Sequence, residues 1–309
     1  MKQDWTDEDL IERWTLEQSD YALLANKSGA TRLGFAVLLK YFQLEARFPA
    51  TAAEVPASAI VFLARQLKIP TRLFAEYDWQ GRLITYHRKV IREKFNFREI
   101  TVLDEEAAVN WLVREILPIE ANEERFIGEL YRYFRNWKIE PPTDEQMMRL
   151  VRSAQSRFES VFVNQIFERL SDNSVAKLSA LLDRIEEIKT VERDGEKPES
   201  TVSEAEANRT SLTTLAWLRS EPGKLKLETV QDELKKLDVL RELELPANLF
   251  DGYSAKIVAA YRRRLLAESL QHTRRHELSL QMTLLSAFCF LRQSEVIDNL
   301  IEFRSYAIG

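Results

Sequence analysis

The sequence predicts an all-α fold, several small helical bundles with helix-turn-helix-like units joined by an acidic linker, and three observations carry that prediction. Only 8 Gly and 9 Pro punctuate the 309 residues, so long uninterrupted elements are allowed. Apolar side chains recur at i, i+3, i+4 and i+7 through most of the chain. Strand-like alternation is confined to RLITYH, which runs straight into a helical pattern.

In order, periodicity predicts helices over Asp7–Trp14, Asp20–Asn26, Thr31–Phe48, Pro56–Lys68, Thr71–Tyr77, Gln80–Phe95, Asp104–Ile116, Glu123–Trp137 and Thr143–Phe167. In the third, Gly29 supplies a permissive backbone, Thr31 is placed to cap the first turn, and Phe35, Leu38, Leu39 and Phe42 form an apolar stripe. KIEPPTDEQ marks a break, because the residue before a proline disfavours helix while Thr143 caps the next one. ERDGEKPESTVSEAEAN, Glu192–Asn208, is acidic and nearly devoid of large apolar residues, the composition of a linker. Beyond it come helices over Leu212–Arg219, Glu228–Leu243, Ser254–Leu270 and Leu278–Glu302. The organisation expected is a helical region over 1–138, divided near 70–80, a helical connector over 139–191, the linker over 192–208 and a last helical domain over 209–309.

Composition narrows the function. No run approaches the roughly 18 apolar residues of a membrane span, and the N-terminus is acidic where a secretion signal is basic, so a cytosolic location is expected. The lone Cys289, in LLSAFCFL, reads as a buried, inert thiol. The net charge of −5 is unevenly spread: Met1–Asp20 carries seven acids against two bases, whereas Arg65–Arg98 carries nine bases. Such segregation steers a polyanion to one side of an acidic protein.

The best candidate for chemistry is YDWQGRLITYHRKVIREKFNFRE. At 100° per residue Ile84, His87, Ile91 and Phe95 fall on one core-facing stripe. Arg82, Thr85, Lys89, Arg92 and Asn96 fall on the opposite face, with Arg88 at its edge. Arg and Asn read base edges bidentately, while Lys and Thr hold phosphates; a merely solvated face is the competing reading. Upstream, RFPATAAEVPASAIVFLARQLKIP looks like a small helix-turn-helix, with Ile60, Leu63, Ala64 and Leu67 inward and Arg65 and Lys68 outward. Lys27 and Arg32 join Arg65 and Lys68 as expected backbone contacts. A second basic patch comprises Lys256, Arg262, Arg263 and Arg264; it serves phosphate, or it pairs with the acidic helix DELKKLDVLRELE. Tyr131, Tyr133, Phe134 and Trp137 are read as core, with base stacking as the alternative.

His272 and His276, four apart, lack the Glu that a zinc-protease pattern places after the first His, and no third ligand is read beside them. SEPGKLKLE lacks the glycines and the Lys-Ser/Thr ending of a phosphate loop. No catalytic residue, metal or cofactor is therefore assigned.

ANKSGATRLGFAVLLKYFQLEARFP closely resembles the start of the transposases of the Tn-three family of replicative bacterial transposons. YDWQGRLITYHRKVIREKFNFRE, PPTDEQMMRLVRSAQSRFE, LKLETVQDELKKLDVLRELELPANLF and LLSAFCFLRQSEVID resemble successive blocks of the same family, in order, over about residues 5 to 302. The resemblance implies binding of double-stranded terminal inverted repeats through N-terminal helical domains, and dimerisation. It also implies a C-terminal ribonuclease-H-like domain with a magnesium-binding acidic triad, for which no counterpart is read here, so the chain is not expected to be an enzyme. Residues after Asn208 would bridge toward that domain. The ending FRSYAIG departs from the family pattern and reads as a truncation, a frameshift or an engineered boundary. The rival expectation is a helical protein-interaction module that forms homodimers, or mixed dimers with a full-length transposase.

Overall fold

The computed structural model describes residues 2–193, 215–223 and 226–308; the expected linker over Glu192–Asn208 falls almost wholly outside them. The described residues are helical with no strand, and one isolated parallel bridge pairs Arg98 with Ile139. The helices are α1 (Asp7–Trp14), α2 (Gln18–Leu24), α3 (Gly29–Glu45), α4 (Ala57–Leu67), α5 (Arg82–Lys94), α6 (Val102–Trp111), α7 (Glu123–Asn136), α8 (Asp144–Arg169), α9 (Asp172–Arg193), α10 (Leu215–Arg219), α11 (Leu227–Glu242), α12 (Ala255–Ala267), α13 (Leu270–Thr273) and α14 (Leu278–Ile308). They form two compact units, one of residues 1–112 and 123–153, the other of residues 113–122 and 154–309.

The first unit is built around α3. Its sequence suggests a striped surface helix, yet Leu33 through Phe42 are all buried, because α2, α4, α5 and the 3-10 turn Thr71–Glu76 pack around it. A helix enclosed on every side needs apolar residues all round. Gly34 is part of that packing: an added Cβ would lie 2.3 Å from the Tyr77 ring. Helix α3 starts at Gly29, with φ of 50°, and Ser28 is the residue before it. Thr31 thus sits within the first turn and does not cap it. At α1 the side chain of Thr6 accepts from the Asp9 amide while Asp9 caps Thr6 in return, a reciprocal capping box that fixes the helix start.

The expected helix-turn-helix over RFPATAAEVPASAIVFLARQLKIP is not formed. That segment folds as one 3-10 turn, Ala52–Glu54, and the single helix α4. Pro49 and Pro56 leave too little chain between them for a full helix. Helix α5 begins only after residues 68–81, far longer than the three or four residues of a helix-turn-helix turn.

In the second unit α14 is the central element, packed by α9, α11 and α12. Its residues from Met282 to Cys289 are all buried, and burial pushes the Cys289 thiol up to about 12, as an inert apolar thiol requires. A charged cluster is buried beside it. Lys236 and Glu233 are fully enclosed, with Nζ 2.8 Å from Oε1. Lys236 also donates to the Ser220 carbonyl at 3.0 Å, and Arg292 reaches the Leu218 and Ser220 carbonyls at 2.8 and 2.7 Å.

Candidate nucleic-acid interface

The residues of α5 divide more sharply than periodicity implies. Ile84, His87 and Ile91 are buried and Phe95 is half-buried, as the 3.6-residue repeat requires. The Tyr77 hydroxyl lies 2.8 Å from His87 Nδ1, and the Phe35 ring meets the imidazole edge-on at 4.9 Å. Burial, then the nearby Lys27 ammonium, holds His87 down at about 4.

Arg82, Thr85 and Lys89 are exposed, and Tyr86, 56% exposed, stands in the same row at the i+4 position from Arg82. Lys89 has Glu93 3.8 Å away, an exposed pair of little energetic weight. Arg88 and Arg92 do not belong to this row. Arg92 is 8% exposed and pairs with Glu99 and, at 2.7 Å, with Glu140. Arg88 donates from Nη2 to the Pro49 carbonyl at 3.0 Å and lies over the Phe48 ring; burial holds its pKa below the ordinary arginine value. Both guanidinium groups, expected on the DNA-facing side, make internal ties and do not stand in the exposed row.

Asn96 is also off the helix face. Its φ is 59°, its amide donates to the Glu93 carbonyl at 3.2 Å, and the Phe97 amide donates to the Arg92 carbonyl at 2.9 Å. That pair of bonds is a Schellman motif, which requires a left-handed residue that Asn tolerates. Lys68 ends α4 in the same way, with φ of 54° and the Ile69 amide on the Ala64 carbonyl at 3.0 Å, but its ammonium is exposed.

Of the other expected backbone contacts, Arg65 is exposed. Lys27 folds back, donating to the Leu23 carbonyl and Asn26 Oδ1, each at 2.8 Å, and lying 4.2 Å over the Phe35 ring. Burial holds its pKa below the ordinary lysine value. Arg32 is half-buried, its Nε enclosed. Lys27 is thus tied internally, while Arg32 takes part in no ion pair among the described residues. A residue outside the expected set joins them: Arg72, in the turn after α4, is exposed, and its place in the basic stretch was the available signal. Among the described residues Arg65, Lys68, Arg72 and Arg82 take part in no ion pair.

The cleft beside Arg88 and Arg92, about 500 Å³, is not an anion site. Its wall sets Arg47, Arg88 and Arg92 against Glu54, Glu99 and Glu140, and the Arg47–Glu54 pair is closed at 3.0 Å. Of the aromatic group, Phe134 is core, Tyr131 and Tyr133 are half-buried, and Trp137 is 67% exposed.

The second basic patch largely dissolves. Lys256 is 3.3 Å from Glu120, Arg262 is doubly bonded to Glu295, and Arg264 bonds Glu159 and Glu268. Arg263 alone of the four is exposed with no ion pair among the described residues. The acidic helix α11 is not their partner, since Asp232 and Glu233 serve Lys236.

Residues 1–154 match the domain of unknown function DUF4158. The chain is 25% identical over 248 residues to the transposase for transposon Tn3926 of Escherichia coli, which covers 78% of this chain and 22% of that protein. It is 24% identical over 243 residues to the transposase for transposon Tn501 of Pseudomonas aeruginosa, covering 77% and 22%. The matched region thus spans about a fifth of the length of these relatives. The described residues contain no strand. No described helix is long and apolar enough to cross a membrane. With blocks in family order and DUF4158 across its first half, this chain belongs to the Tn-three family of transposases and corresponds to their N-terminal region.

Proposed function

We propose that this chain binds the double-stranded terminal inverted repeats of a transposon, as the end-recognition part of a transposase, and carries out no strand transfer itself. The observation that supports it is the set of exposed cations Arg65, Lys68, Arg72 and Arg82, unpaired among the described residues and carried by one compact helical unit. Phosphate neutralisation by such groups supplies most sequence-independent affinity. Thr85, Tyr86 and Lys89 continue the exposed row of α5 toward a groove.

The test is fluorescence anisotropy on an inverted-repeat duplex and a shuffled duplex over a range of salt. The variant Arg65→Ala/Lys68→Ala/Arg82→Ala should weaken binding and flatten the log–log salt dependence by about 0.9 per lost phosphate contact. Equal affinity and slope in the variant would refute the assignment. A second reading, a protein-interaction module forming homodimers or mixed dimers, is favoured by Val102 and Leu103, 79% and 77% exposed at the start of α6. Sizing the chain with and without repeat DNA separates the two: dimers without DNA binding support the second.

A further inference from the structure

The chain has three histidines. His87 is buried; the other two stand together in the second unit, in the turn that joins α12 to α14. The fold brings Glu268 to them. Glu268 Oε2 lies 2.8 Å from His276 Nε2, the imidazoles of His272 and His276 meet edge-on at 4.9 Å, and one ligand atom from each of the three residues lies within 4.8 Å of the others.

The three groups are held from outside. Arg264 Nε donates to Glu268 Oε1 at 2.8 Å and also bonds Glu159, so one carboxylate oxygen is fixed and the other is left facing the imidazoles. Such an outer partner is what orients a metal-ligating carboxylate. The backbone that carries the histidines is tied as well. The His272 amide donates to Ser269 Oγ at 3.2 Å, and Gln281 Nε2 donates to the His276 carbonyl at 2.7 Å and the Arg274 carbonyl at 3.1 Å. His276 and Glu268 are each 15% exposed in their side chains, while His272 is exposed and open to solvent.

We propose that Glu268, His272 and His276 form a binding site for a borderline divalent cation, Zn²⁺ in the first place. Two imidazole nitrogens and one carboxylate oxygen are a donor set that zinc accepts, whereas magnesium and calcium prefer all-oxygen sites. Ligand atoms of a tetrahedral zinc stand about 3.3 Å apart, given bonds of about 2.0–2.2 Å. The observed separations close to that by side-chain rotation. The ion takes the place of the His276–Glu268 hydrogen bond, and a solvent molecule completes the fourth position. Arg264, Arg274 and Arg275 face or adjoin the turn, so affinity is below that of a closed four-ligand structural site. Bound zinc would staple the turn between α12 and α14, and the site uses none of the cations assigned to DNA, so the two assignments fail or hold independently.

The test uses the whole chain, stripped with a chelator and titrated with Co²⁺ and with Zn²⁺ against a colorimetric zinc indicator. One equivalent should bind, with the visible absorption of low-coordinate cobalt. His272→Ala, a substitution at an exposed position that leaves packing intact, should lower the affinity at least tenfold, and Glu268→Gln should lower it too. His87→Gln should leave it unchanged. No uptake, or uptake insensitive to His272→Ala, would leave the trio as a plain hydrogen-bonded pair with a neighbour and overturn the proposal. Because His276→Ala removes a tied residue, its effect is read only alongside circular dichroism, and His272→Ala is the deciding variant.

Discussion

Arg92 Nη1 donates to Glu140 at 2.7 Å, joining the last turn of α5 to the segment before α8 across 48 residues of sequence. Burial pushes the Glu140 carboxyl up, and Arg92 opposes that shift without cancelling it. Arg92→Ala would strand the carboxylate in a poorly solvated place. Removing one partner of a buried pair costs about 3–5 kcal/mol, and since Glu140 keeps 20% of its side-chain surface the loss expected is near about 3 kcal/mol. Urea denaturation measures it. Arg82→Ala, exposed and unpaired, should fall within about 0.5 kcal/mol of the parent. If the two variants are equally stable, the tie is not what holds this corner.

His87 predicts a pH dependence. Its folded value of about 4 lies below the unfolded 6.5 because burial disfavours the charged ring. Between those values the unfolded chain binds a proton that the folded chain does not, so stability rises with pH across that window. It is fully present above about 6.5 and falls away as the pH drops toward 4, by roughly 3 kcal/mol at most. Urea midpoints at pH 7.5 and 4.5 should differ for the parent and converge for His87→Gln.

Gly34 and Gly128 make a contrasting pair. An added methyl at Gly34 would collide with the Tyr77 ring at 2.3 Å, whereas Gly128, on the exposed side of α7, has nothing within 4 Å of an added Cβ. Gly34→Ala should therefore cost about 1–3 kcal/mol as an overpacked core does. Gly128→Ala should gain about 0.5–1 kcal/mol from helix propensity. Thermal melts of both variants check the signs.

Asn96→Gly should raise stability by up to about 1 kcal/mol, since the left-handed position suits glycine, and should leave DNA affinity untouched. Asn96→Val should destabilise. A loss of DNA affinity in Asn96→Gly with stability retained would restore Asn96 as a contact.

Much of the helical layout was legible because apolar periodicity is a local property. Helix α1 ends where periodicity ends it, and the core stripe of α5 follows the 3.6-residue repeat through Ile84, His87 and Ile91. The misreadings have distant causes. Arg92 looks like a solvent-facing cation until Glu140, 48 positions away, is folded against it. Helix α3 reads as striped because its sequence cannot tell how many neighbours will cover it. Glu268 was the exception, four residues before His272 just as His276 is four after, a spacing visible in the chain but interrupted by the break between α12 and α13.

The enclosed trio of Glu233, Lys236 and Arg292 carries a consequence for descent. A neutral replacement of Glu233 takes from Lys236 and Arg292 the one carboxylate they share inside the apolar shell, leaving Asp232 and Glu295 to meet them from its rim, so a change there persists only with matching changes at the cations. Aligned relatives should therefore show these three columns altering in concert, and a column that drifts by itself would mark a lineage in which this helical unit has been rebuilt.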